Sequence, residues 1–305
     1  MILVFDVGGT MTKYGIYNPI NQQHELLTQG EFPSLAIQGG QVMLNRLMEE
    51  VDRLFLSYDI KGIAISSAGQ INPYEGEVIF ATDNIPNYTG MNPVNMLSSA
   101  YQIPVAIEND VNCFLLGEQV IRNLNGNVLA LTLGTGIGGA ILSNDRLVRG
   151  DTYSAGEIGH IQLVKNGLKC TCGNYGCYEQ YASTNALKNS VLQTLGYDDL
   201  KAFFERCKSG DSKALELFDA WIDHLTDGLR TLIHILNPNT VIIGGAIAAQ
   251  GQYLEIAIQK SIESKIMASY ARNLKIVVSD NGNTSNLLGA LNHFYTLYPN
   301  LKLEV

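Results

Sequence analysis

The chain has 305 residues, 46% hydrophobic and 16% charged, with a formal net charge of −9. That is enough chain for two domains with their own cores, in the composition of a globular protein. The acidic balance argues against a general nucleic-acid or anionic-membrane surface, and no apolar run approaches the ~18 residues of a membrane-spanning helix.

The first residues enter a strand without a basic segment and a cleavable apolar core, so no signal peptide is expected. Residues 1–6 form a short apolar run that ends in Asp6. The run breaks at Val7-Gly8-Gly9-Thr10 and resumes at Lys13, which predicts a hairpin with glycines at the bend. Bare backbone there can approach a phosphate, and successive N–H groups can form an anion nest. The same glycines equally suit a plain turn; Asp6 facing the bend favours a site. A helix is predicted over 41–56, then a strand over 62–66 and a loop Ser67-Ala68-Gly69-Gln70. Residues 72–93 read as one long surface excursion in which Asn84, Asn87 and Tyr88 are either ligand-binding or solvated turn residues.

The strand at 104–107 runs into Glu108-Asn109-Asp110, which opens a helix over 113–121. Polar residues at a helix start are often caps. At the end of a buried strand they also face the ligand crevice of an open α/β sheet. The strand–bend–strand pattern then returns as 128–133, Gly134-Thr135-Gly136 and 137–142, with Gly138 in the return strand, so an internal structural repeat is expected.

From Gly156 to Glu179 the sequence sets His160, Cys170, Cys172 and Cys177 within eighteen residues, between the carboxylates Glu157 and Glu179. One imidazole and three thiolates are the ligand set of a closed tetrahedral Zn2+ site. The zinc is expected to be structural, pinning a loop that holds the two carboxylates towards one pocket. The other two of the five cysteines, Cys113 and Cys207, lie in apolar or helical surroundings, so the usage is that of a reducing cytoplasm and not of a disulfide framework. Helices follow over 183–195, 200–208 and 212–236, the last stopped by Asn237-Pro238. A strand over 240–243 ends in Gly244-Gly245 before a helix near 252–264; this supports a nucleotide's adenine and ribose or is a tight turn. A last strand over 274–279 and a last helix over 285–297 complete the chain.

In this order the motifs resemble the ROK family (repressors, open reading frames and sugar kinases) of the actin-like ATPase superfamily, over nearly the whole chain. Asp6-Val7-Gly8-Gly9-Thr10 resembles the first phosphate loop, Glu108-Asn109-Asp110 the catalytic segment, and Leu133 to Gly139 the second phosphate loop. Gly159-His160 through Glu179 matches the zinc signature in full. Family members often have Pro-Gly where this chain has Ala68-Gly69.

The resemblance implies an α/β, two-lobed actin-like (ribonuclease H-like) ATPase fold, each lobe a mixed sheet with flanking helices. The first lobe would be 1–112, with 285–305 returning to pack on it; the second would be 113–284 and carry dimerisation. It implies an ATP-dependent hexose kinase, often a homodimer, with glucose or N-acetylmannosamine as leading substrates. Asp110 would take the proton from the C6 hydroxyl, and Gly69, Asn84, Asn109, Glu157, His160 and Glu179 would bind the sugar. Asp6 would hold Mg2+ through water. Gly8, Gly9, Thr10, Thr12, Lys13, Gly134, Thr135, Gly136, Gly138, Gly244 and Gly245 would hold the nucleotide. With Asp6 sixth in the sequence, no helix-turn-helix is expected before the first loop. Two rivals make other predictions: an inactive sugar-binding regulator, and a filament ATPase or nuclease of the same superfamily, which has no use for the His/Cys cluster.

Overall fold

The computed structural model describes residues 1–20 and 23–302. The chain opens with β1 (Ile2–Val7), β2 (Met11–Ile20), β3 (Gln23–Pro33), α1 (Gly40–Phe55), β4 (Gly62–Ser67), β5 (Gln70–Asn72), β6 (Glu77–Phe80), α2 (Pro93–Tyr101), β7 (Val105–Asn109) and α3 (Asp110–Arg122). It continues with β8 (Val128–Leu133), β9 (Ile137–Ser143), β10 (Arg146–Leu147), α4 (Glu179–Ala182), α5 (Thr184–Leu195), α6 (Leu200–Lys208), α7 (Ser212–Leu236), β11 (Thr240–Gly244), α8 (Gln252–Glu263), α9 (Ala268–Ala271), β12 (Lys275–Val278) and α10 (Thr284–Leu297). Among the described residues no helix is long and apolar enough to cross a membrane.

Two compact units result: Met1–Leu124, Arg149–Ala155 and Asn283–Val305 form one, and Asn125–Val148 with Gly156–Gly282 the other. Their five-stranded sheets, β3-β2-β1-β4-β7 and β10-β9-β8-β11-β12, repeat one topology. In each, an antiparallel hairpin (β1/β2, β8/β9) is extended by two parallel strands. The expected repeat is therefore present strand for strand. The edge strand β3 and the pair β5/β6 were not legible. β3 is mostly polar and exposed from Glu25 to Glu31, so it lacks the alternation that marks a half-buried strand. The excursion at 72–93 contains β6 and ends at α2.

The sequence reading divides the lobes after residue 112; the compact units divide at 124/125, and 149–155 also joins the first unit. Helix packing explains why α3 stays with the first unit. A Cβ at Gly117 would overlap the Ser285 carbonyl, and one at Gly289 would overlap the Cys113 carbonyl. The backbones of α3 and α10 thus touch at two points, which only residues without a Cβ allow. Together these helices cover the sheet face formed by Ile2, Val4, Ala64 and Ala106. The opposite face, Leu3, Phe5, Val7, Ile63 and Ile65, packs with α1 residues Leu44, Leu47 and Val51.

Gly289→Ala is expected to destabilise the protein by about 1–3 kcal/mol, because the clashing atom is backbone and cannot swing aside. Thermal unfolding checks this; an unchanged Tm would mean that the two helices do not approach so closely.

Candidate active site

Alternation along β1 puts Asp6 on the same face as Ile2 and Val4, the face that α10 covers. Asp6 is thus the last position of an apolar row. In register with it across the parallel strands stand Ser66 and then Glu108. These are carboxyl ends of parallel strands, where α/β sheets place ligands. Ser66 Oγ donates to Asp6 Oδ1 at 2.8 Å, and Asn286 Nδ2 donates to the same oxygen at 3.1 Å. Burial raises the Asp6 carboxyl above its usual range, while the Ser66 and Asn286 hydrogen bonds and the Lys13 charge oppose that. Lys13 sits directly opposite Asp6 in the β1/β2 ladder.

At the β7/α3 junction the N-cap is Asn109, whose Oδ1 accepts from the N–H groups of Val111 (2.9 Å) and Asn112 (3.1 Å). Its Nδ2 donates to Gly69 O at 2.9 Å and to Asp110 Oδ1 at 3.0 Å. Asn109 therefore ties the Gly69 turn to Asp110, and its polar atoms are engaged with the protein itself. Because Asn109 does the capping, Asp110 is not needed as the cap. Burial, reinforced by the nearby Asp6 charge, pushes the Asp110 carboxyl up to about 7. That places a proton acceptor close to neutral pH, where a general base is most effective.

Behind the junction lies a buried polar group. Glu108 Oε1 accepts from Asn109 N (2.9 Å) and Asn112 Nδ2 (3.0 Å), and its Oε2 pairs with Arg149 Nη2 at 2.7 Å. His293 Nδ1 is 3.5 Å from Arg149 Nη2, and burial pushes the imidazole down to about 4, so it is neutral at pH 7. Glu108 is buried and Arg149 half-buried, so removing Arg149 would strand the carboxylate; the pair holds the strand–helix junction.

The first bend is closed by Gly8 N donating to Met11 O at 3.1 Å, and the second by Gly134 N donating to Gly136 O at 3.0 Å. An added Cβ at Gly9 or Gly134 would meet nothing within 4 Å, and neither residue has a positive φ. Neither packing nor backbone conformation thus demands glycine there, and the backbone at both bends is left open to close approach. Thr10 and Thr135 are exposed at the bends. Thr12 is different: it pairs with Val7, faces away from Asp6 and Lys13, is 1% exposed, and donates to Ser34 Oγ at 3.0 Å. Strand parity thus turns Thr12, expected among the nucleotide ligands, away from the face that carries Asp6 and Lys13. Gly138 stands opposite Thr132 in the β8/β9 ladder. Gly244 pairs with Thr132 as well, and a Cβ at Gly245 would overlap the Leu133 carbonyl, so the Gly-Gly pair seats β11 against the second bend. α5 holds that bend too: Thr184 Oγ1 donates to Leu133 O at 3.0 Å and Asn185 N to Gly134 O at 3.1 Å.

Within the second unit, Gly156 (φ 100°) packs on the Gly139 carbonyl and Gly159 on that of Ile137, which fixes Glu157 and His160 beside β9. The ligand atoms of His160, Cys170, Cys172 and Cys177 all lie within 4.8 Å of one another. His160 Nδ1 is 3.6 Å from Cys170 Sγ, and Cys172 Sγ is 3.6 Å from Cys177 Sγ. Burial, then the neighbouring thiols, push the Cys177 thiol up to about 12, and burial raises that of Cys170, while the Asn174 N–H lowers that of Cys172; a bound cation would let all three ionise together. The residues fit zinc. Nδ1 faces the thiols while Nε2 is 3.9 Å from Glu157 Oε2. Glu179 Oε1 is 3.1 Å from Cys170 Sγ, and its other oxygen occupies the space beside Gly136. Tyr178, fully buried and donating to Leu225 O at 2.5 Å, ties the knuckle to α7.

Of the other expected site residues, Asn84 is exposed in the loop between β6 and α2. Tyr88 is buried and its hydroxyl is 3.0 Å from Ser67 Oγ, so it is part of the core.

The sequence matches the model of one family, described as "ROK family", over residues 2–296. The chain belongs to the ROK family. A glucokinase of Thermotoga maritima is 30% identical over 302 residues, covering 93% of this chain and 94% of that one. A ROK family glucokinase from Streptomyces griseus, solved with glucose and AMPPNP, superposes with a TM-score of 0.80 at 25% identity, covering 95% of this chain and 98% of that one. A Listeria monocytogenes protein thought to be an N-acetylmannosamine kinase superposes with a TM-score of 0.84 at 29% identity, covering 97% and 99%. The fold of this ROK chain is accordingly the actin-like ATPase fold of those sugar kinases. Ser66, Asn286, Arg149 and His293 join the site region of this ROK chain without a sequence signal. Each reaches it through strand register or a contact between distant segments.

Proposed function

We propose that this chain is an ATP-dependent hexose kinase that transfers the γ-phosphate of ATP to the C6 hydroxyl of glucose or N-acetylmannosamine, with Asp110 as general base. The observation that carries the reading is the Asp110 carboxyl, held beside Asp6 at the strand ends and raised to about 7. Asp110 takes the sugar hydroxyl's proton as the oxygen attacks phosphorus. The N–H groups of Gly9 and Thr10 and of Thr135 and Gly136 receive phosphate oxygens, with Lys13 adding charge. Asp6 would hold Mg2+, which when bound would supply positive charge to the phosphates. Among the described residues, Asp6 Oδ1 is occupied by Ser66 and Asn286 while Oδ2 has no hydrogen bond, leaving one oxygen for a metal-bound water. Glu157, His160 and Glu179 bind sugar hydroxyls, and the zinc knuckle keeps them in place without taking part in the reaction. Asn109 acts by orienting Asp110 and Gly69.

A coupled ADP-release assay with Mg2+ over glucose, N-acetylmannosamine, fructose, N-acetylglucosamine and β-glucosides tests the reading. Sugar-dependent ADP release with at least one of them is expected. Calorimetric sugar binding without ADP release would instead make the chain a sugar-responsive regulator.

A further inference from the structure

Asn286 lies in the first turn of α10, 280 residues from Asp6 in sequence. Its Nδ2 is 3.1 Å from Asp6 Oδ1, 3.3 Å from the Asp110 main-chain carbonyl and 3.4 Å from Ser66 Oγ. One amide group therefore reaches three strand or helix ends: β1, β4 and the start of α3. The α10 backbone is seated on α3 by the glycine contacts at Gly117 and Gly289, so the amide's position is set by rigid elements on both sides. Two features point to the N–H groups as what matters. The amide presents only donors to this cluster, whose members are a carboxylate, a carbonyl and a hydroxyl. An aspartate of the same shape would add a third negative group beside Asp6 and Asp110.

We propose that Asn286 is a positioning residue for phosphoryl transfer: its amide links the Asp6 carboxylate to the Asp110 backbone, fixing their separation and leaving the second oxygen of Asp6 for the metal side. This rests on the reading of the chain as a kinase with Asp110 as base. Asn286 acts through Asp6, Ser66 and the Asp110 main chain, the groups its amide reaches. Its loss should therefore act on the rate and on the Mg2+ requirement, and not on sugar affinity.

The test uses the full chain with the sugar that the wild type phosphorylates. Asn286→Ala removes the link, and Asn286→Asp keeps the volume but removes the donors. Both should fold and bind sugar with KM within about twofold of wild type. In both, kcat should fall by about tenfold to a hundredfold, the range for losing a hydrogen bond to a charged group. The Mg2+ concentration for half-maximal rate should rise. If Asn286→Ala does not fold, Asn286→Asp carries the test alone, since it preserves the packing of α10. A variant of either kind that keeps wild-type kcat and Mg2+ response overturns the inference, as does a rise in sugar KM with kcat unchanged. A wild-type chain that phosphorylates no sugar overturns the kinase reading and this inference together. An active wild type with an indifferent Asn286→Asp variant overturns only the latter.

Discussion

Asp110→Asn is expected to yield a folded protein that still binds sugar and ATP but turns over at least about 10²-fold more slowly, the lower part of what a general base contributes. The substitution keeps the shape and the oxygen that accepts from Val111 N at 2.9 Å. The helix cap is untouched, because Asn109 supplies it. The raised carboxyl adds two pH predictions. Wild-type kcat should fall as pH drops below about 7, where the base becomes protonated. Stability should move the other way. The folded value of about 7 lies above the ordinary 3.8, so between these the folded chain binds a proton that the unfolded chain has lost. Stability contributed by this group is therefore full below about pH 4, falls as pH rises, and is gone above about 7. Asn carries no such penalty. The variant should have the higher Tm at pH 8, and the difference should shrink towards pH 4. Measuring kcat and Tm on the same samples separates the readings: a near-wild-type kcat with a lower Tm would make Asp110 a structural residue.

The second large effect is expected at the knuckle. Protein purified without chelator should hold one zinc per chain by elemental analysis, and Cys177→Ser should lose it. Structural zinc in small motifs contributes about 10–16 kcal/mol of apparent binding free energy near neutral pH. Here part of that is buffered by Tyr178, which stays packed under α7, so the loss should be felt first between His160 and Cys177. Limited proteolysis within that segment, and weaker sugar binding through Glu157 and Glu179, are the expected readouts. A metal-free wild type that resists protease and binds sugar normally would refute the structural role.

What could be read from the letters was local. The helix at 212–236 shows its period within its own residues, and it forms as Ser212–Leu236. The strand–bend–strand units need only the two arms and the glycines between them, and both formed. The zinc ligands fall within eighteen residues, so spacing alone implies that they converge, and their donor atoms do lie together. The inward turn of Thr12 to Ser34 is a local matter too, since the parity of β2 against Val7 decides it.

The rest depended on segments meeting that are far apart in sequence. Asp6 and Ser66 become neighbours through parallel pairing of β1 with β4, and no short-range pattern sets that register. Arg149 reaches Glu108 from 41 residues away, and Asn286 reaches Asp6 from 280. Each such contact is a single hydrogen bond or ion pair and leaves no periodicity behind. The boundary after α3 likewise follows from two glycines that let α10 come down onto it. The raised carboxyl of Asp110 has the same origin. Its residue type is written in the chain, but burial and the nearby Asp6 charge are properties of the packed unit, because desolvation exists only once the surrounding atoms are in place.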